Sequence, residues 1–162
     1  MKKVVKSKKG LPKSLVLIAC IAISYFVAFI GSLFTGPAVK GAWYESIKPA
    51  LTPPSFVFPV VWNILFFLIA LSMYYAWNAS FNDQRKKIAI MFFINFALNI
   101  SWSILYFGMQ NPLKAFADIL LLIASTSILI VYLWKIDRKA SALLIPYLLW
   151  LIFASVLNCL SI

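Results

Sequence analysis

FVFPVVWNILFFLIALSMYYAWN, residues 56–78, contains no charged side chain and is apolar or aromatic at nearly every position. A helix rises about 1.5 Å per residue, and roughly 20 residues carry it across the ~30 Å hydrocarbon layer of a bilayer. The stretch does not alternate apolar with polar positions, so it is no strand of a membrane barrel. A helix closes its own backbone hydrogen bonds in lipid, and a spanning helix is the reading that follows. Similar runs cover 14–34, 88–107, 112–134 and 141–162. The predicted fold class is therefore an all-α membrane protein, a bundle of five transmembrane helices in one domain, 14–162, behind a basic tail, 1–13. Hydrophobic residues make up 64% of the chain and charged residues 12%, outside the range of soluble domains.

The charges between the runs orient the bundle. Lys2, Lys3, Lys6, Lys8, Lys9 and Lys13 precede the first run, Arg85, Lys86 and Lys87 the third, and Lys135, Arg138 and Lys139 the fifth. Only Lys40, Lys48 and Lys114 fall on the other side. The positive-inside rule predicts a multi-pass protein of the cell membrane with its amino terminus in the cytoplasm. The first run is too long for a secretory signal core and lacks a close cleavage site, so it is expected to stay as a helix. A net charge of +11 that flanks helices instead of forming a basic face excludes nucleic acid as a partner; membrane lipid is the expected surrounding. With no His, and with Cys20 and Cys159 lying alone in apolar runs as small buried hydrophobes, no protein-ligated metal and no disulfide framework is expected.

The gap 35–55 is long and rich in Gly, Pro and aromatics, which marks a loop that packs on something, as a lid or binding loop. Trp43 and Tyr44 fit either interfacial anchors or ligand contacts. Thr52-Pro53-Pro54 has the form of a helix start, with Thr as N-cap, and Pro59 one turn deeper is expected to bend the second helix. Within the spans, Asn95, Asn99 and Trp102 share one helical face. Asp118 needs an interface or donors, and Lys114 one turn before it is placed to pair with it while snorkelling outward. Trp62, Asn63 and Phe66 stand on the second helix. Pro146, Trp150, Phe153, Ala154, Leu157 and Asn158 recur at helical spacing on the fifth. The amides either tie helices together or line a polar cavity. Aromatic walls with a few amides suit a flat, largely apolar ligand. No His, no paired carboxylates and no Ser with a nearby base are present for conventional acid–base catalysis.

Trp43-Tyr44-x-x-Ile47-Lys48-Pro49-x-x-Thr52-Pro53-Pro54 followed by Trp62 resembles the first-loop signature of the translocator protein family, also called tryptophan-rich sensory proteins or peripheral benzodiazepine receptors. Asn95-x3-Asn99-x2-Trp102, Phe107-Gly108, Pro112, Ala115 and Asp118 continue the likeness, as do Pro146-Tyr147-x2-Trp150-x2-Phe153-Ala154-x2-Leu157-Asn158. The likeness runs in order over about 36–158. It implies a five-helix bundle, as a homodimer, with a cavity at the first-loop end that binds porphyrins and related flat drugs and in some members sterols. Carried over by position, Tyr44, Pro53, Trp62, Phe66, Asn99, Trp102, Trp150, Ala154 and Leu157 would line that pocket. No cofactor is implied; the porphyrin is ligand or substrate. The resemblance also implies an alternative, light-dependent oxidative degradation of protoporphyrin with Trp62 and Trp150 as the redox-active pair. A purely regulatory or structural dimer is the third reading. The chain departs from the pattern in having one residue fewer between Tyr44 and Lys48-Pro49, Leu51 in place of an aromatic, and no carboxyl-terminal Tyr and basic residue for a sterol motif.

Overall fold

The computed structural model describes residues 12–162, so the lysines that precede them in the basic tail lie outside the described residues. Helix α1 is Lys13–Ala38, α2 Ala42–Ile47, α3 Val57–Ala79, α4 Asn82–Ser103, α5 Pro112–Trp134, α6 Arg138–Ala142 and α7 Ile145–Cys159; a π-helical segment, Ile104–Gly108, continues α4. Five stretches are long and apolar enough to cross a membrane: Lys13–Ala38, Val57–Ala79, Asp83–Gly108, Pro112–Trp134 and Arg138–Cys159. The fold class expected from sequence is the one observed.

Several boundaries move, each for a local reason. Helix α1 runs past 34 to Ala38 although Pro37 in its last turn cannot donate to the Leu33 carbonyl; the Val39 N–H closes on the Thr35 carbonyl at 3.1 Å. Helix α4 starts at Asn82, so the basic turn Arg85–Lys86–Lys87 is helical too, though its charges exclude it from an apolar run. Helix α5 begins where expected, with Pro112 at its first turn and the Asn111 side chain accepting from the Lys114 N–H at 3.0 Å. The fifth run is broken at Leu143 and Leu144. Pro146 cannot donate to Ala142, and its ring would meet that carbonyl, so the helix stops and restarts.

Two expectations at the head of α3 are corrected. Thr52 is not its N-cap: the helix starts at Val57, after a turn in which the Val57 N–H meets the Pro54 carbonyl at 2.9 Å. Pro59 therefore lies in the first turn, where no intrahelical bond is lost, and it has no cause to bend the helix.

Helix α1 packs on α3 and α4, α4 on α5, and α5 on α7 and α6. The core is a seam of apolar side chains crossed by polar bonds. Leu65, Ile69, Leu122, Leu129, Leu133, Leu144 and Leu151 are buried. Ser24 Oγ donates to the Phe66 carbonyl and Ser72 Oγ to the Ala140 carbonyl, both at 2.7 Å. Such bonds supply what the hydrophobic effect cannot supply between helices in lipid. Outward faces carry Leu15, Ile18 and Phe26 on α1 and Leu121, Ile128 and Val131 on α5, all exposed and suited to lipid tails.

Candidate functional site

The buried amides are placed by helical spacing. Asn95, Asn99 and Trp102 point from one face of α4 into the bundle. Asn95 Nδ2 donates to Thr126 Oγ1 at 2.8 Å, Asn99 Nδ2 to the Tyr147 hydroxyl at 3.1 Å, and Trp102 Nε1 to Asn158 Oδ1 at 3.0 Å. The Tyr147 hydroxyl, wholly buried, donates in turn to Asn95 Oδ1 at 3.3 Å. Asn95 thus holds helices together away from the open space, whereas Asn99 and Asn158 both tie helices and border it.

That open space is a cavity of about 720 Å³ between α1, α3, α4 and α7, covered by the segment that joins α1 to α3. All nine residues picked out by resemblance (Tyr44, Pro53, Trp62, Phe66, Asn99, Trp102, Trp150, Ala154 and Leu157) lie along its wall. Trp62 sits 5.5 Å from Phe66 and 6.3 Å from Tyr147, ring centre to ring centre, and Trp150 sits 5.9 Å from Phe58. Trp150 Nε1 and Thr52 Oγ1 are buried without a hydrogen-bond partner. An unspent donor beside a cavity is available to an acceptor that can reach it.

The cover is docked. Helix α2 sets Trp43 5.8 Å from Tyr106 and Tyr44 5.7 Å from Phe107. Tyr106 and Phe107 are themselves turned into the interior by the π-helical segment, whose extra residue per turn re-aims the side chains that follow. Gln110, at φ 50°, then reverses the chain toward α5. Burial, with Tyr106 and Glu45 adding to it, pushes the Tyr44 phenol above its ordinary pKa.

Two sequence expectations fail here. Lys114 does not pair with Asp118: Lys114 is exposed, Asp118 is buried, and Asp118 Oδ2 has no partner, while the one ion pair among the described residues joins Lys48 to Glu45 at 2.6 Å. A lysine near a water boundary keeps its ammonium hydrated in preference to following a carboxylate inward. Cys20 is buried as expected, but Cys159, the last residue of α7, is exposed.

The sequence reading missed the contribution of α1. Tyr25, Ala28, Ser32 and Thr35 line the cavity, and Gly31 lets α4 approach: a Cβ there would stand 3.2 Å from Ser103 Oγ. Their near-helical spacing, a small and polar stripe on an otherwise apolar helix, was the available signal.

Comparison with known proteins follows the same segments. The pattern described as the TspO/MBR family matches residues 19–160. The chain is 44% identical over 144 residues to a tryptophan-rich protein TspO of Archaeoglobus fulgidus, covering 88% of this chain and 92% of that one. It is 34% identical over 145 residues to the tryptophan-rich protein TspO of Chlorobaculum tepidum, covering 89% and 92%. To the translocator protein of Homo sapiens it is 30% identical over 134 residues, covering 80% and 78%.

Proposed function

This chain belongs to the TspO/MBR family, and on that premise we propose that it is a membrane receptor or carrier for porphyrins and related flat, largely apolar molecules. The observation that carries the reading is the cavity. Its volume falls within the roughly 300–1,000 Å³ of small-molecule sites, its walls are aromatic, and few polar groups converge on it. The docked cover over residues 35–55 supports a site that encloses its ligand. We place the bundle in the cell membrane with the basic ends of its helices in the cytoplasm and the cavity end outside, and take the working unit as a homodimer.

Absorbance of protoporphyrin titrated with the purified protein, in darkness and under illumination, tests the reading. A saturable shift that persists in both conditions is expected of a receptor. No shift at any protein concentration would leave the regulatory or structural dimer in its place. One observation favours a second reading: Trp62 and Trp150, both oxidisable indoles, border the same cavity. Light-driven loss of bound porphyrin that depends on these indoles would make the protein a photo-oxidative enzyme.

A further inference from the structure

The cavity is apolar at depth and charged only along its rim. Three of the side chains that line it carry charge, Lys40, Glu45 and Lys48, and all three are exposed, whereas Phe66, Asn99 and Leu157 in the same wall are buried. Glu45 and Lys48 are joined across the end of α2 at 2.6 Å. Lys40, just past α1, has no carboxylate within 4.0 Å among the described residues. Glu45 is the one acidic side chain among those that line the cavity. The chain holds only 4 acidic residues; Asp83 and Asp137 stand at the opposite end of the bundle, and Asp118 is buried on α5. Two lysines and one glutamate thus line the mouth.

We propose that this rim is a carboxylate subsite, so that the ligands this cavity selects are amphipathic acids, held with the acid at Lys40 and Lys48 and the apolar body among the aromatic rings. The inference rests on the reading of the cavity as a site for flat apolar molecules and adds their polarity and direction. The direction follows from solvation. An ionised carboxylate carried into the aromatic depth would lose its hydration without finding a cation, while at the rim it stays partly hydrated and meets two. The flexible lysine stems let both ammonium groups reach it. Glu45 competes with the incoming acid for Lys48, so it is an internal brake on acid binding. Because the groups are exposed, the effect is modest and screened by salt.

The test uses the full chain in nanodiscs of zwitterionic lipid, titrated with protoporphyrin as the free diacid and as its dimethyl ester, with tryptophan fluorescence as readout. Replacing Lys40 and Lys48 together (Lys40→Gln with Lys48→Gln) is expected to weaken the diacid by roughly fivefold or more, the sum of two exposed ion pairs, and to leave the ester unchanged. Glu45→Gln is expected to tighten the diacid by roughly two- to fivefold, again without effect on the ester. Raising salt should shrink both differences. The ester serves as the control for folding and for partitioning into lipid. A ratio of diacid to ester affinity that is the same in the parent and the double-lysine variant would overturn the subsite while leaving the porphyrin reading intact. Failure of both ligands to bind the parent would remove the porphyrin reading itself, and the subsite with it.

Discussion

Trp102 on α4 donates its indole Nε1 to Oδ1 of Asn158 on α7 at 3.0 Å, and the same amide donates Nδ2 to the Pro112 carbonyl at the head of α5 at 2.8 Å. One buried side chain therefore joins three helices beside the cavity. Both of its ends are spent on the protein, which makes Asn158 a structural tie and leaves ligand recognition to its neighbours.

Asn158→Leu leaves the Trp102 indole N–H without its partner and takes from the Pro112 carbonyl the second bond it accepts beside the one within α5. A stability loss of about 1–2 kcal/mol is expected, near the lower end for orphaned buried groups because interhelical bonds in lipid are worth less than their isolation suggests. Thermal unfolding in detergent checks it. Trp102→Phe combined with Asn158→Leu should cost less than the two single losses added together. Full additivity would mean that the two side chains act independently.

Gly31 and Ser103 set the distance between α1 and α4 at the cavity wall. A methyl at Gly31 would meet Ser103 Oγ at 3.2 Å, so Gly31→Ala is expected to destabilise by about 1 kcal/mol, and Gly31→Val by up to about 3 kcal/mol. Ser103→Ala removes the obstructing oxygen and should recover most of the Gly31→Ala loss, read as the melting temperature of the double variant. No recovery would place the strain elsewhere.

Asn99 spends Nδ2 on the Tyr147 hydroxyl and also borders the cavity. Asn99→Leu is expected to weaken porphyrin binding by about 1–2 kcal/mol if the amide bonds the ligand. Titration of the variant in the dark measures this. Parental affinity would assign Asn99, like Asn158, to the bundle alone.

Trp62→Phe and Trp150→Phe keep an aromatic wall but lose the easily oxidised indole. Both variants should bind porphyrin within about threefold of the parent, since the ring faces persist. Any light-driven porphyrin loss should fall sharply in either. Degradation at the parental rate in both would remove the tryptophans from the chemistry.

The cavity end should face away from the cytoplasm. With Cys20→Ala and Cys159→Ser as background, a cysteine placed at Ala50, which is exposed, should react with a membrane-impermeant maleimide added outside intact cells. One placed at Lys135 should not. The reverse pattern would invert the topology.

The apolar runs carried the five spans, because helix length against bilayer thickness is a one-dimensional constraint that composition records directly. Residue spacing likewise put Asn95, Asn99 and Trp102 on one face, and the order of loop and helix motifs named the nine residues found around the cavity. Other features lay outside that record. The break at Leu143 and Leu144 has Pro146 as its only local sign. The π-helical turn at Ile104–Gly108 has none, since an extra residue in a turn is decided by what its side chains pack against; here Trp43 and Tyr44 receive Tyr106 and Phe107. Nor does spacing say which amides spend both ends on neighbouring helices. The sequence by itself determined a five-helix membrane bundle and the family to which it belongs. Only the tertiary structure decided that α1 walls the cavity and that Asn158 is a tie, because each depends on the distance between segments far apart in the chain.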